Sequence, residues 1–396
     1  MREELQAAIT RLAAIDRTSC SAGEHEAAGV IADEFRRTGA EVELERPRIH
    51  CSYWWPLGIT SAMGIAAARA AVRGHRLLGA VLGGAAASLV FDELGAGRRW
   101  LRRVLPKQMT TNVIATMGDE DAPRTLVLVA HHDAAHTGVF WDPRLAEYLG
   151  RRLSQLPTSR RSGVAPMVPI AAAPMFAGVA ALAGFRSLAR ATGGVCAGII
   201  ASFLHIALSP TVPGANDNLS GVATLLSVAR SVAREPLRGL RLMLVSTGDE
   251  EGLMEGMRAF FEAHRDELSP ERTRFLNVDA VGSPHLVLIE AEGMLQVRQY
   301  DEPFKDLIGD CAATAGIPLR RGFTMRLGTD GYVALRNGVP AATLMSANDY
   351  GAASNYHWPT DTPDRVDYAT VEQAVSLCNL VVRRLAAGVD QATSGR

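Results

Sequence analysis

Within a few residues around Gly248 the chain changes character completely. The apolar run Leu242-Met243-Leu244-Val245 closes on Ser246-Thr247-Gly248 and is followed at once by Asp249-Glu250-Glu251. A short apolar run ended by Gly reads as a buried strand entering a turn, since a strand covered on both faces has no polar side. The acids then stand at the strand's carboxyl end, the edge at which open α/β sheets bind ligands. Three adjacent carboxylates repel one another, so either water screens them as a solvated acidic turn or cations offset them. The rest of the chain decides between these two readings.

The 396 residues are 47% apolar and 21% charged, enough for a large core, either one big α/β domain with insertions or two to three smaller ones. A net charge of −1 leaves no electrostatic footprint for nucleic acid. The five cysteines, Cys20, Cys51, Cys196, Cys311 and Cys378, lie far apart and form no CxxC pair. That spacing predicts neither a disulfide framework nor a thiolate metal site, and a reducing compartment. The amphipathic start, MREELQAAITRLAAIDR, does not read as a secretory leader.

Periodicity predicts helices over 3–14, 24–37, 254–264, 303–315, 329–337 and 368–387, and one from the 213–221 turn to Arg234. Strands are predicted over 41–49, 112–117, 125–130, 240–246, 275–278, 285–289 and 341–345. Two blocks break the pattern. Residues 57–72 and 77–91, rich in Ala, Gly, Leu and Val, flank the basic turn Arg73-Gly74-His75-Arg76. Residues 163–185 and 191–212 hold no Asp, Glu, Lys or Arg and flank a basic turn over Arg186–Arg190. Only the second pair reaches the roughly 18–20 residues needed to span a bilayer. It is expected to insert into lipid, with the first pair following it and Tyr53, Trp54 and Trp55 as interfacial anchors. Residues 98–107 read as a basic linker.

Strand ends and turns then offer His131 with Asp133, Asp217, Glu250 with Glu251, Asp279 and His357. Two imidazoles and several carboxylates suit a pair of zinc ions, and a single ion would not need so many acids. Closely spaced cations need a shared anion, which an aspartate at a helix-opening turn supplies, and one carboxylate must stay free to take a proton from water. Glu250 suits that role.

At these residues the chain resembles the M28 metallopeptidases, zinc aminopeptidases. The matching motifs are AHHD (130–133), GANDNLSG (214–221), GDEEG (248–252), LNVDAVG (276–282) and YHWPTDTPDRVD (356–367), in family order. The resemblance covers 1–50, 108–150 and 213–390. It implies one α/β peptidase domain with a central, mixed, mostly parallel sheet flanked by helices. Apolar helical hairpins at 53–92 and 163–212 interrupt that domain, and a tail, 391–396, follows it.

The resemblance also implies two Zn²⁺ per chain, one on Asp217, Glu251 and His357 and the other on His131, Asp217 and Asp279. Asp133 would orient His131, Glu250 would be the general base, and the Asp217-Asn218 peptide would be cis. Anchoring on Gly252-Leu253 instead would move the acidic pair to Asp249 and Glu250; anchoring on 256–260 keeps Glu250 and Glu251.

The expected substrate is a peptide with a free N-terminus and the expected surroundings are membrane lipid. The alternatives are a one-zinc acyltransferase like glutaminyl cyclase and a non-catalytic membrane scaffold. Paired hairpins put both termini and the site on one side of the membrane. The excess of Arg46, Arg48, Arg98, Arg99, Arg102, Arg103, Lys107, Arg151, Arg152, Arg160 and Arg161 over Arg73, Arg76, Arg186 and Arg190 places that side in the cytoplasm.

Several residues keep a plain reading beside a functional one. His132 and His136 are pocket residues or bonded core histidines, His205 is a bonded core histidine, and Trp358 lines a pocket or packs. Tyr350 and Tyr356 are alternative donors to a tetrahedral intermediate, and Thr329-Asp330 is a family element or an N-cap.

Overall fold

The computed structural model describes residues 1–95, 97–144, 148 and 167–388. Arg151, Arg152, Arg160, Arg161, residues 163–166 and the 391–396 tail lie outside these. In chain order the elements are α1 (Arg2–Ala13), α2 (Ala22–Arg37), β1 (Glu41–Glu45), β2 (Arg48–Ile49), α3 (Trp54–Val72), α4 (Arg76–Leu94) and α5 (Trp100–Val104). Then come β3 (Gln108–Met109), β4 (Asn112–Gly118), β5 (Thr125–His131), α6 (Met167–Ala183) and α7 (Arg186–Ala207). After a turn over 215–219 follow α8 (Ser220–Arg234), β6 (Arg241–Thr247), α9 (Glu255–Ala263), β7 (Thr273–Val278), β8 (His285–Glu292) and β9 (Arg298–Gln299). The chain closes with α10 (Glu302–Thr314), β10 (Arg320–Met325), α11 (Asp330–Arg336), β11 (Ala341–Ala347) and α12 (Tyr368–Ala386).

Nine strands form one mixed sheet in the order β1-β4-β6-β5-β7-β11-β8-β10, with β9 on β8. The four central strands, β6-β5-β7-β11, run parallel. Leu126 to Ala130 of β5 are fully buried, as expected of a strand covered on both faces. Each such aliphatic side chain contributes about 1.5–3 kcal/mol by leaving water. From β5 the chain goes first to β6 on one side and then to β7 on the other, so the loops part at the carboxyl end of β5 and leave a crevice there.

Helices α3, α4, α6 and α7 pack into a single bundle rather than two separate hairpins. Small residues make the contacts: a Cβ on Gly83 would stand 2.5 Å from the backbone of Gly178, and one on Gly79 2.6 Å from Ala181. The bundle's buried cluster is almost all alanine, Ala67, Ala68, Ala71, Ala177, Ala180, Ala181 and Ala189. Large side chains point outward instead, with Leu77 76%, Val81 68% and Leu182 60% exposed.

Four expectations are corrected. Cys20 and Cys51 form a disulfide, brought together by two loops that no sequence spacing links; Cys196, Cys311 and Cys378 are free and buried. Residues 98–107 are no linker. They contain α5, and the buried Arg102 pairs with the buried Glu93 at 2.6 Å and the buried Arg99 with the partly buried Glu255, fastening the foot of α4 to the sheet domain. Arg186–Arg190 form the first turns of α7, and the reversal is made by Gly184 at φ +78. His205 is exposed and accepts the Val139 N–H instead of bonding in a core.

Candidate active site

Three parallel strands deliver their last residues to the crevice. β5 ends on His131, β6 is followed by Gly248–Glu251, and β7 is followed by Asp279. The 215–219 turn supplies Asp217 from one side and the loop after β11 supplies His357 from the other. All are buried or nearly so.

Asp133 joins the strand ends. Its Oδ1 accepts the Glu250 N–H at 3.1 Å and lies 3.3 Å from His131 Nδ1. Its Oδ2 accepts the Glu251 N–H at 3.1 Å and the Ser19 hydroxyl at 2.6 Å. Burial alone would raise this carboxyl, but the bonds from His131 and Ser19 outweigh it and hold it below the usual range.

Asp217 lies between two imidazoles. Its Oδ1 is 3.3 Å from His131 Nε2, its Oδ2 is 3.2 Å from His357 Nε2, and the same His357 nitrogen is 3.1 Å from Glu251 Oε2. Glu250 Oε2 stands 4.0 Å from His131 Nε2.

The charges follow from this packing. Burial works against the charge on Asp217, yet His131 and His357 hold it far below the usual range. Burial likewise opposes the charge on His357, but Glu251 and Asp217 hold it up to about 10. Burial lifts Glu250 well above the ordinary glutamate range, with His131 opposing. It pushes Asp279 up to about 8, with His131 opposing and Asp217 adding. Asp249 is fully buried in the fields of Asp133, Arg102 and Glu24, and the acid set against His357 is Glu251.

The Asp217 turn is braced from afar. Arg17, fully buried, donates to the carbonyls of Pro213 (2.6 Å) and Gly214 (2.8 Å). Asp361 accepts the N–H groups of Asn216 (2.8 Å) and Asp217 (3.0 Å). Asn218 bonds Val278 O and the Ala280 N–H, locking the turn to the Asp279 loop, and the Asp217-Asn218 peptide is cis. Sequence reading missed Arg17, Ser19 and Asp361. The TDTPD string (360–364) was the one available signal, because long-range side-chain bonds leave no periodicity.

A cleft of about 570 Å³ opens onto Glu251 and His357. Its far wall includes Cys51, Tyr53, Trp54 and His136, so Tyr53 and Trp54, expected as lipid anchors, face the site and only Trp55 is well exposed, at 60%. His132 bonds Ser246 away from the cleft, whereas His136 stacks edge-on against Trp54. Trp141 packs on His357 and Tyr356 stacks on it at 3.9 Å, while Tyr350 sits on an exposed turn. Trp358 is half-buried, outside the cleft lining. Thr329 does not cap α11 through its side chain. It donates to Glu292, and Asp330 accepts from Thr247.

A metal fits this donor set. Ligand atoms of His131, Asp217 and Glu251 lie within 4.8 Å of one another. Glu251 Oε1 is buried and accepts no hydrogen bond, and Asp217 Oδ2 has only the His357 ring 3.2 Å away, a costly state that a cation relieves. Imidazole nitrogen with carboxylate oxygen is a zinc-type set.

The family model described as Peptidase family M28 matches residues 201–382. That segment carries Asp217, Glu250, Glu251, Asp279 and His357. By fold the chain is similar to an aminopeptidase from Aneurinibacillus sp. strain AM-1, at 16% identity over 97% of this chain and 93% of that one, TM-score 0.57. It is similar too to BSAP, a zinc aminopeptidase from Bacillus subtilis (13%, 97% and 95%, TM-score 0.55). A third likeness is to the Bacteroides thetaiotaomicron glutaminyl cyclase bound to N-acetylhistamine (12%, 96% and 97%, TM-score 0.55). No curated protein matches the chain. Identities this low establish the shared α/β fold. The M28 match adds a likeness to a peptidase family over the part of the chain that holds most of the site.

Proposed function

We propose that the protein is a two-zinc aminopeptidase held in a membrane by its helical bundle. The observation that carries the metal reading is the Asp217 carboxylate set between His131 and His357 at 3.3 and 3.2 Å, one oxygen toward each. Asp217, Glu251 and His357 would hold one ion, and His131, Asp217 and Asp279 the other. When bound, the ions supply Lewis acidity toward the scissile carbonyl and lower the pKa of water.

The chain's own groups do the rest. Glu250, raised by burial, is poised to take the water's proton and pass it to the departing amine. Asp133 fixes the ring of His131 and, through the Glu250 and Glu251 N–H groups, the backbone of both glutamates. Neighbouring carboxylates receive a free α-amine, so unblocked peptides are substrates and N-acetylated ones are not. The stacking of Tyr356 on His357, against the exposed turn that carries Tyr350, favours Tyr356 as the donor to a tetrahedral intermediate. Metal analysis of the purified protein tests the reading: two zinc ions per chain are expected, and one would favour the cyclase-type acyltransferase.

The inside-out bundle supports the membrane. Helices α4 and α7 are long and apolar enough to cross one, alanine and glycine fill the bundle's interior and leucine and valine its outside, the pattern of helices packed in lipid. With paired helices the sheet domain would lie on one face, and Arg46, Arg48, Arg98, Arg103 and Lys107 beside it, against four arginines near the hairpin tips, support the cytoplasm for that face. The Cys20–Cys51 disulfide argues for the opposite face, since such bonds are rare in reducing compartments. A reporter fused to the C-terminus and active only in the cytoplasm should therefore be active, and activity of an export-only reporter would reverse the side.

A further inference from the structure

The lining of the cleft that holds Glu251 and His357 includes the foot of the bundle, Tyr53, Trp54 and Trp55 at the start of α3. Tyr53 and Trp54 open α3, and the Tyr53 ring lies edge-on to Phe203 of α7, centroids 5.7 Å apart. Beyond α7 the chain is stitched to the residues after Asp133: Val212 N–H donates to Ala135 O at 2.9 Å, Thr137 N–H to Pro210 O at 3.0 Å, and His136 Nδ1 lies 2.7 Å from Ser209 O. Three residues thus separate His131 from Ala135, which bonds the segment that follows a candidate membrane span. Around these feet the surface is apolar: Trp55 is 60%, Val139 58%, Leu204 58% and Leu208 78% exposed.

If α3 and α7 leave the domain into lipid, this apolar rim meets the bilayer surface and the cleft opens there. We infer that the site takes free N-termini of peptides held at the membrane surface, by a lipid chain or an inserted segment, and trims them to within a few residues of the anchor. This rests on the peptidase and membrane readings above. A site raised on a stalk could not reach such ends; one whose wall is the helix foot can.

The test uses the full-length, zinc-loaded protein reconstituted in phosphatidylcholine vesicles, with a free-amine peptide offered in three forms. One is soluble, and two carry a C-terminal dipalmitoyl anchor behind spacers of about 4 or about 12 residues, roughly 14 or 40 Å when extended. Both anchored forms should be cleaved with similar kcat/KM. Leu208→Glu should weaken cleavage of the short-spacer form severalfold and leave the soluble peptide unchanged. Loss of the short-spacer form by an order of magnitude, with the soluble and long-spacer forms cleaved, overturns this inference alone. Failure to cleave the soluble peptide overturns the peptidase reading, and release of the protein by a high-salt wash overturns the membrane reading; either takes the inference with it.

Discussion

The sheet domain and the helical bundle bury opposite kinds of residue. In the domain Leu126, Leu128, Leu244 and Val245 are fully enclosed, whereas in the bundle alanines are enclosed and Leu77, Val81, Val179 and Leu182 face out. Removing apolar area from water drives the first. In lipid it could not drive the second, where Gly83 and Gly178 bring two helix backbones into close approach. On the membrane reading proposed above, one chain would be built for two solvents, with chemistry in one part and placement in the other. Changes in the domain should therefore alter turnover without altering location, and changes in the bundle the reverse.

The largest effect should come from Glu250→Gln. Removing a general base lowers kcat by about 10²–10⁴-fold, while bound zinc and membrane retention stay at wild-type levels. Glu251→Gln should instead lose metal, read by elemental analysis. A Glu250→Gln protein with full turnover and two zinc ions would break the division of roles between adjacent glutamates.

Next is the fastening between the two regions. Arg102→Leu leaves Glu93 buried and unpaired, and breaking such a pair by removing one partner costs about 3–5 kcal/mol. Thermal unfolding in detergent should show most of that cost returned by the double variant Arg102→Leu/Glu93→Leu. Equal instability of the two would mean that packing, not the unpaired charge, matters at this junction.

Inside the bundle, Gly83→Val places a side chain against the Gly178 backbone at 2.5 Å; overpacking of this kind costs about 1–3 kcal/mol. The melting temperature should fall, with KM for a soluble peptide unchanged. A shift in KM would show that the bundle reaches the chemistry as well as the wall of the cleft.

What the sequence revealed follows the same divide. The strands ending at His131, Thr247 and Val278 were legible because a doubly covered strand must be apolar and its end must not be, so ligand candidates stood out at each boundary. The edge strand β10, Arg320–Met325, was missed because it carries polar residues with no alternation to mark it. The Cys20–Cys51 bond, the Ser19–Asp133 bond and the Arg17 clamp were illegible, each joining loops that only the finished fold brings together. The place of Tyr53 and Trp54 in the cleft lining was illegible, because an aromatic beside an apolar run serves a lipid boundary and a cleft wall equally well.

The smallest effect is a pH dependence confined to the sheet domain. Without metal, His357 is raised from 6.5 to about 10 by Glu251 and Asp217 against the pull of burial, and Asp279 from 3.8 to about 8 by burial. Each binds its proton more tightly folded than unfolded, so each contributes stability that is complete below its unfolded value and is lost as pH rises through its folded value. From these two groups the metal-stripped protein should therefore weaken as pH rises from about 3.8 to about 10, through Asp279 below about pH 8 and through His357 above 6.5. Zinc replaces those protons as the partner of the carboxylates, so the loaded protein should hold its melting temperature across the same range and its zinc affinity should rise with pH. Parallel melting curves for stripped and loaded protein would fail this prediction and take the metal out of the His131, Asp217 and His357 cluster.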